Sequence, residues 1–332
     1  MNDKNQDLVL KTYQDMPKQF EQIFTEFKSV KLPANFKNIN QVLICGMGGS
    51  ALGPDLVRKV FKQHLSVPIL IVNDYKLPKW VNQQTLVIVS SFSGNTEETL
   101  SCYKEAKRKK FKIFIICSGG KLAQVAGPKF VYQAKYNYAL NPRFAIGYSV
   151  AIFISLFKKI KLLNFQDKKI DKGISNLKKS KKIAEKIAKK MLNKIPIIVA
   201  SEHLVGNAHI FQNQINETGK NFAVYFSIPE ICHHQFEGLS LPKNLNESII
   251  YILINSKLYF KRNQKRYQTM KEILKKKKIS FIEINSSGDD IWSESIYILG
   301  LTSYLSYYLA QQNKIDPQPN SWVDLFKEKM KD

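Results

Sequence analysis

Short apolar runs separated by amphipathic stretches recur twice along this chain, and that alternation limits the fold more than any other feature. In the first half, Val42-Leu43-Ile44-Cys45, Ile69 to Val72, Leu86 to Val89 and Phe114 to Cys117 read as strands, preceded by a helix-like stretch from Leu8 to Lys28. In the second half, Ile195 to Ala200, Phe222 to Phe226, Ile249 to Ile254 and Phe281 to Ile284 repeat the pattern, with helices over roughly Gly206–Glu217, Gln264–Lys278 and Ile291–Gln312. Apolar runs alternating with helices predict parallel strands covered on both faces. The expected fold is therefore α/β, with two doubly wound parallel-sheet lobes in tandem. The expected lobes span 1–158 and 194–332, joined by a lysine-rich helical connection at 159–193. No exact sequence repeat accompanies this, so the correspondence between the halves is architectural.

Sheets of this kind bind ligands at the carboxyl ends of their strands, and two unusual loops fall there. Cys45-Gly46-Met47-Gly48-Gly49-Ser50-Ala51 follows the first strand, and Ser90-Ser91-Phe92-Ser93-Gly94-Asn95-Thr96-Glu97-Glu98 follows the third. Glycines let the backbone approach an anion, while a helix's first turn presents unpaired N–H groups and a positive dipole end. The first loop also fits the dinucleotide pattern G-x-G-x-x-A, and Asp74 stands near the place of a ribose-binding acid. A nicotinamide enzyme is thus one alternative. The second loop favours a compact monophosphate, because Ser90, Ser91, Ser93 and Thr96 crowd one turn, whereas a helix cap needs a single oxygen.

The formal net charge of +24 suggests a nucleic-acid partner at first sight. Its make-up argues otherwise. Only five of the 51 basic residues are arginine, the side chain whose rigid fork suits phosphates and base edges. Fourteen lysines, against three acidic residues, fall between Lys158 and Lys194, where a solvated helical hairpin is expected. No specific nucleic acid is expected as a partner, only salt-sensitive attraction. Cys45, Cys102, Cys117 and Cys232 show neither a C-x-x-C pair nor a zinc-like spacing, which implies a reducing compartment and no metal. The apolar run Val150 to Phe157 is too short to span a bilayer, and the start Met1-Asn2-Asp3-Lys4 is unlike a signal peptide. A cytoplasmic location without membrane association is expected.

The two loops resemble the phosphate-binding segments of the sugar isomerase (SIS) domain, and more narrowly those of the bacterial and archaeal bifunctional phosphoglucose/phosphomannose isomerases. The likeness continues through Asn141-Pro142-Arg143-Phe144-Ala145-Ile146-Gly147-Tyr148, Asn216-Glu217-Thr218-Gly219-Lys220, Pro229-Glu230-Ile231-Cys232-His233-His234 and Phe236-Glu237-Gly238, and ends at Asp316-Pro317 before a C-terminal helix.

The resemblance implies SIS-type, flavodoxin-like lobes and a hexose 6-phosphate substrate, converted by aldose–ketose isomerisation without metal or cofactor. Gly48, Gly49, Ser50, Ser91, Ser93 and Thr96 would hold the phosphate. Glu217 would move the proton between adjacent carbons, His233 with Lys327 would open the sugar ring, and Arg143 would steady the enediolate by charge. It also implies a homodimer, with His233 reaching the site from a neighbouring subunit. Two departures stand out. Relatives usually show Asn-His-Asn-Glu where this chain has Cys232-His233-His234-Gln235, and Pro-Thr-Pro where it has Pro317-Gln318-Pro319. The second favours glucose 6-phosphate over mannose 6-phosphate, because a bulkier amide hinders the rotation that presents the epimer. A noncatalytic sugar-phosphate sensor is the alternative reading.

Overall fold

The computed structural model describes residues 3–126, 131–179 and 181–330. They group into two compact units, one of Asp15–Ile174 and one combining Met1–Gln14 with Ser175–Asp332. The opening helix α1 (Asp3–Gln14) therefore belongs with the later half of the chain, unlike the expected lobe of residues 1–158. Tyr13 explains this: buried, it meets Tyr304 edge-on at 6.2 Å, and its hydroxyl lies 3.5 Å from Ser306 Oγ. The single helix expected from Leu8 to Lys28 is two, because α2 (Met16–Ser29) restarts at Pro17, which fits only a helix's first turn.

In the unit of residues 15–174, five parallel strands lie in the order β2-β1-β3-β4-β5. They are β1 (Gln41–Cys45), β2 (Ile69–Val72), β3 (Thr85–Ser90), β4 (Lys112–Cys117) and β5 (Val131–Gln133). Helices α3 (Gly49–Val60), α4 (Glu97–Arg108), α5 (Gly120–Ala126), α6 (Ile146–Lys159) and α7 (Asp167–Ile174) complete the unit. Side chains alternate across a strand. Leu43, Cys45, Val87, Val89, Ile115 and Cys117 accordingly share one buried cluster with Cys102 and Tyr103 of α4. The register sets Cys45 beside Val89, which brings the loops after β1 and β3 side by side.

In the other unit the parallel order is β7-β6-β8-β9, formed by β6 (Ile195–Ser201), β7 (Val224–Ile228), β8 (Ile249–Asn255) and β9 (Ser280–Asn285). Its further helices are α8 (Lys181–Lys190), α9 (Val205–Glu217), α10 (Leu245–Ser248), α11 (Lys261–Lys276), α12 (Ile291–Gln312) and α13 (Ser321–Lys329). Strand β7 starts two residues later than expected, leaving Phe222 exposed. Helix α12 is apolar almost all round and is accordingly buried, with α1, α8 and α9 packed on it. The lysine-rich stretch is not one hairpin: α7 belongs to the first unit, while α8 buries Ala184, Ile187 and Ala188 and exposes Lys186, Lys189 and Lys190. Among the described residues, no helix is long and apolar enough to cross a membrane.

Candidate active site

The two glycine- and hydroxyl-rich loops meet in the unit of residues 15–174. Ser50 Oγ accepts from the Phe92 amide at 3.1 Å, and Ser90 Oγ donates to the Ser50 carbonyl at 3.2 Å, tying the start of α3 to the loop before α4. Gly46 permits this approach, since a Cβ there would stand 3.0 Å from the Ser90 carbonyl oxygen. Helix α3 begins after Gly48, and neither Gly48 nor Thr96, the N-cap residues of α3 and α4, caps its helix with a side chain. Two helix N-termini thus point their leading amides toward the same side of the sheet, an arrangement that favours an anion.

The hydroxyls of the second loop divide into two kinds. Ser91 is buried, its Oγ 2.9 Å from Thr96 Oγ1 and accepting from the Gly94 amide at 3.1 Å, so it shapes the turn. Ser93 is exposed and Thr96 half-buried, with Ser93 Oγ accepting from the Asn95 amide at 3.2 Å. Asn95 reaches across to accept from the Lys121 amide at 2.9 Å. Arg143 lies close by: a Cβ on Gly49 would be 3.2 Å from the Pro142 carbonyl oxygen and 3.8 Å from the Arg143 amide nitrogen. The Arg143 guanidinium lies 4.8 Å from the centre of the Phe144 ring. Behind the loops, a cavity of about 20 Å³, room for one water, is bordered by Ser50, Phe92 and Tyr136. Phe92 and Tyr136 stack at 4.1 Å over it, and burial raises the Tyr136 phenol well above its usual range. Asp74, the ribose-binding acid of the nicotinamide alternative, sits in an exposed turn and accepts from the Tyr75 amide.

Glu217, His233 and Lys327 lie in the other unit. Glu217 ends α9 and is half-buried; its Oε2 accepts from Asn320 Nδ2 at 3.2 Å. Lys220 clamps the same place, donating to the carbonyls of Glu217 and Pro319 and, at 3.1 Å, to Asn320 Oδ1. The segment Pro317-Gln318-Pro319-Asn320 is thereby fastened beside the Glu217 carboxylate. Lys220 belongs to a motif legible in the sequence, but Asn320 carries no signal there beyond its neighbours Gln318 and Pro319. His233 is exposed and ends a 3₁₀ turn, Glu230–His233, that follows the cis Ile228–Pro229 bond and buries Ile231. Lys327 lies on α13, whose residues are all exposed. Cys232 is half-buried, and burial pushes its thiol up, the Arg266 charge opposing this. Among the described residues, no group of three or more His, Cys, Asp or Glu could hold a metal ion.

Two doubly wound parallel sheets, one bearing paired glycine and hydroxyl loops at its strands' carboxyl ends, define an SIS-domain protein. Residues 180–330 match the family described as the bacterial phospho-glucose isomerase C-terminal SIS domain. The chain belongs to the bifunctional phosphoglucose/phosphomannose isomerase family: it is 31% identical over 331 residues to such a protein from Caldicellulosiruptor bescii, covering 95% of this chain and 97% of the relative. A D-glucosamine-6-phosphate 4-epimerase from Sulfolobus acidocaldarius is 27% identical over 224 residues, 67% of this chain and 71% of that protein. The fold is shared with a hypothetical protein of known structure from Thermus thermophilus, with a TM-score of 0.74, 15% identity, and coverage of 98% of this chain and 92% of that one.

Proposed function

We propose that this protein interconverts glucose 6-phosphate and fructose 6-phosphate. Ser50, Ser93 and Thr96, with the amides that follow Gly48 and Gly49, hold the phosphate, and Ser91 keeps that turn in shape. His233 and Lys327 pass protons to and from the ring oxygen and the anomeric hydroxyl as the sugar opens. Glu217 then takes the proton from C2 of the open-chain aldose and returns it to C1 through an enediolate, whose charge Arg143 offsets. No metal or cofactor enters this sequence. The active unit is a homodimer in which His233 serves the neighbouring subunit.

The observation that carries this reading is the Glu217 carboxylate, held by Asn320 at 3.2 Å at the end of α9 beside the Lys220 clamp. That contact fixes the carboxylate's orientation, and a base must be held in one orientation to move a proton between two carbons. The exposure of His233 in a single chain supports its service to another subunit.

The test follows fructose 6-phosphate formation from glucose 6-phosphate, and separately from mannose 6-phosphate, by purified protein without added metal or nucleotide. Glu217→Gln is expected to lower kcat by about 10²–10⁴-fold, the usual worth of a positioned base, with sugar-phosphate affinity nearly unchanged. Glucose 6-phosphate is expected to be turned over faster than mannose 6-phosphate. Wild-type protein that binds the sugar phosphate without converting it would establish the sensor instead, and turnover independent of dilution would remove the shared histidine.

A further inference from the structure

We propose that the unit containing α11 carries a second anion site, one that takes a phosphoryl group. A pocket of about 260 Å³ lies between α11 and the segment after the His233 turn, lined by Cys232, Phe236, Arg262, Lys265, Arg266, Thr269 and Met270. Three of these side chains are cationic and none is a carboxylate. The spacing is that of one helix face: 262 stands three and four residues before 265 and 266, and 269 stands four and three after them.

The choice of side chain is the more telling fact. The chain draws nearly all its positive charge from lysine, yet two of its five arginines line this one pocket. Arginine presents a planar fork that binds phosphoryl oxygens two at a time, which lysine cannot do. Arg266 is half-buried and held: its guanidinium donates to Asn263 Oδ1 at 3.3 Å, while Asn263 Nδ2 donates to Glu202 Oε1 at 2.8 Å. Glu202 also accepts from the Phe260 amide at 2.8 Å, so its carboxylate is engaged at the head of α11 rather than among the lining residues. No acidic residue occupies the first turn of α11, although that end of a helix is positive and usually attracts one. Like charges gathered at a positive helix end cost stability unless an anion offsets them. Phe236 and Met270 give the floor an apolar surface for the body that carries the phosphoryl group. Cys232 and Phe236 flank His233, so an occupant touches the segment that bears the histidine.

Cys232 supplies a readout independent of catalysis, because it lines the pocket and the other three cysteines are buried. An anion beside Arg266 both screens the charge that favours the thiolate and covers the thiol. Inorganic pyrophosphate is therefore expected to slow alkylation of Cys232, located by mass spectrometry, by about tenfold against sodium chloride of matched ionic strength. The double variant Arg262→Gln/Arg266→Gln should lose this protection. Arg108→Gln, which removes an exposed arginine elsewhere, and Ser93→Ala, in the phosphate loop, should both keep it. Equal protection by sodium chloride, protection that survives the double variant or disappears in Ser93→Ala, or a Cys232 inert without pyrophosphate would each overturn the site. The outcome is decided whether or not the protein isomerises any sugar.

Discussion

Gly94 sets the shape of the phosphate loop more firmly than the hydroxyls around it. Its φ of +68° lies in the left-handed region, and a Cβ there would stand 1.9 Å from the Gly119 carbonyl oxygen. Gly94 also accepts from the Leu122 amide at 3.0 Å, joining the loop after β3 to the first turn of α5. Gly94→Ala is therefore expected to cost at least about 2 kcal/mol, the sum of a disfavoured backbone and a displaced loop, read as a lower urea midpoint. An unchanged midpoint would mean the loop is soft. Tyr148 gives a second test at this scale. Fully buried, its hydroxyl donates to Gln22 Oε1 at 2.6 Å and accepts from the Tyr138 amide at 3.0 Å, and burial pushes its phenol up to about 12. The folded state thus holds this proton more tightly than the unfolded chain, where tyrosine titrates near ~10. Its stabilisation is complete below about pH 10 and is lost as pH rises toward 12. Tyr148→Phe should flatten the fall in stability across that window, measured by denaturation at several pH values.

At the scale of elements, the two sheets treat the same crevice differently. Both have a switch in strand order beside their first strand, between β1 and β3 and between β6 and β8, the place where such sheets bind ligands. In the first sheet glycines and hydroxyls gather there. In the second, Glu294 of α12 fills the corresponding place: its Oε2 pairs with His203 Nε2 at 2.8 Å and accepts from Ser256 Oγ at 2.5 Å, from the turns after β6 and β8. A carboxylate of the chain's own thus stands where an anion would bind, and all three residues are buried. Glu294→Ala is expected to destabilise the fold by about 3–5 kcal/mol, because His203 and Ser256 lose their shared partner in a dry site. A loss under about 1 kcal/mol by calorimetry would place the pair in contact with water. None of this was legible in the sequence, where Glu294 is one acidic residue in an apolar helix. The strands and glycine loops were legible, since period and punctuation are local. What escaped depends on distant partners or on very short elements: β5 has three residues, Tyr13 joins α1 to α12, and Asn320 meets Glu217 across 103 residues of chain.

For the whole molecule, the excess of 51 basic over 27 acidic residues is the dominant property. It acts at long range, and its layout decides what it can recognise. Lys186, Lys189 and Lys190 are exposed on α8, a helix that buries its apolar face on α12, so they form a hydrated charge cloud rather than a fixed array. Such a cloud binds polyanions by releasing counterions, without reading sequence or shape. Single-stranded RNA should therefore bind at low salt, with affinity falling by several orders of magnitude between about 50 and 200 mM salt and a Kd no tighter than about 10⁻⁶ M at physiological salt. Replacing four lysines of α8 by glutamine should reduce the slope of log affinity against log salt by up to about 3, roughly 0.7 for each phosphate that is no longer neutralised. The same replacement should leave sugar-phosphate turnover unchanged, since those lysines belong to none of the groups assigned to the phosphate or the proton. Fluorescence anisotropy of a labelled oligonucleotide over a salt series checks both expectations. Tight binding that persists at physiological salt, or that depends on base sequence, would require a surface of ordered side chains and would make nucleic acid a specific partner after all.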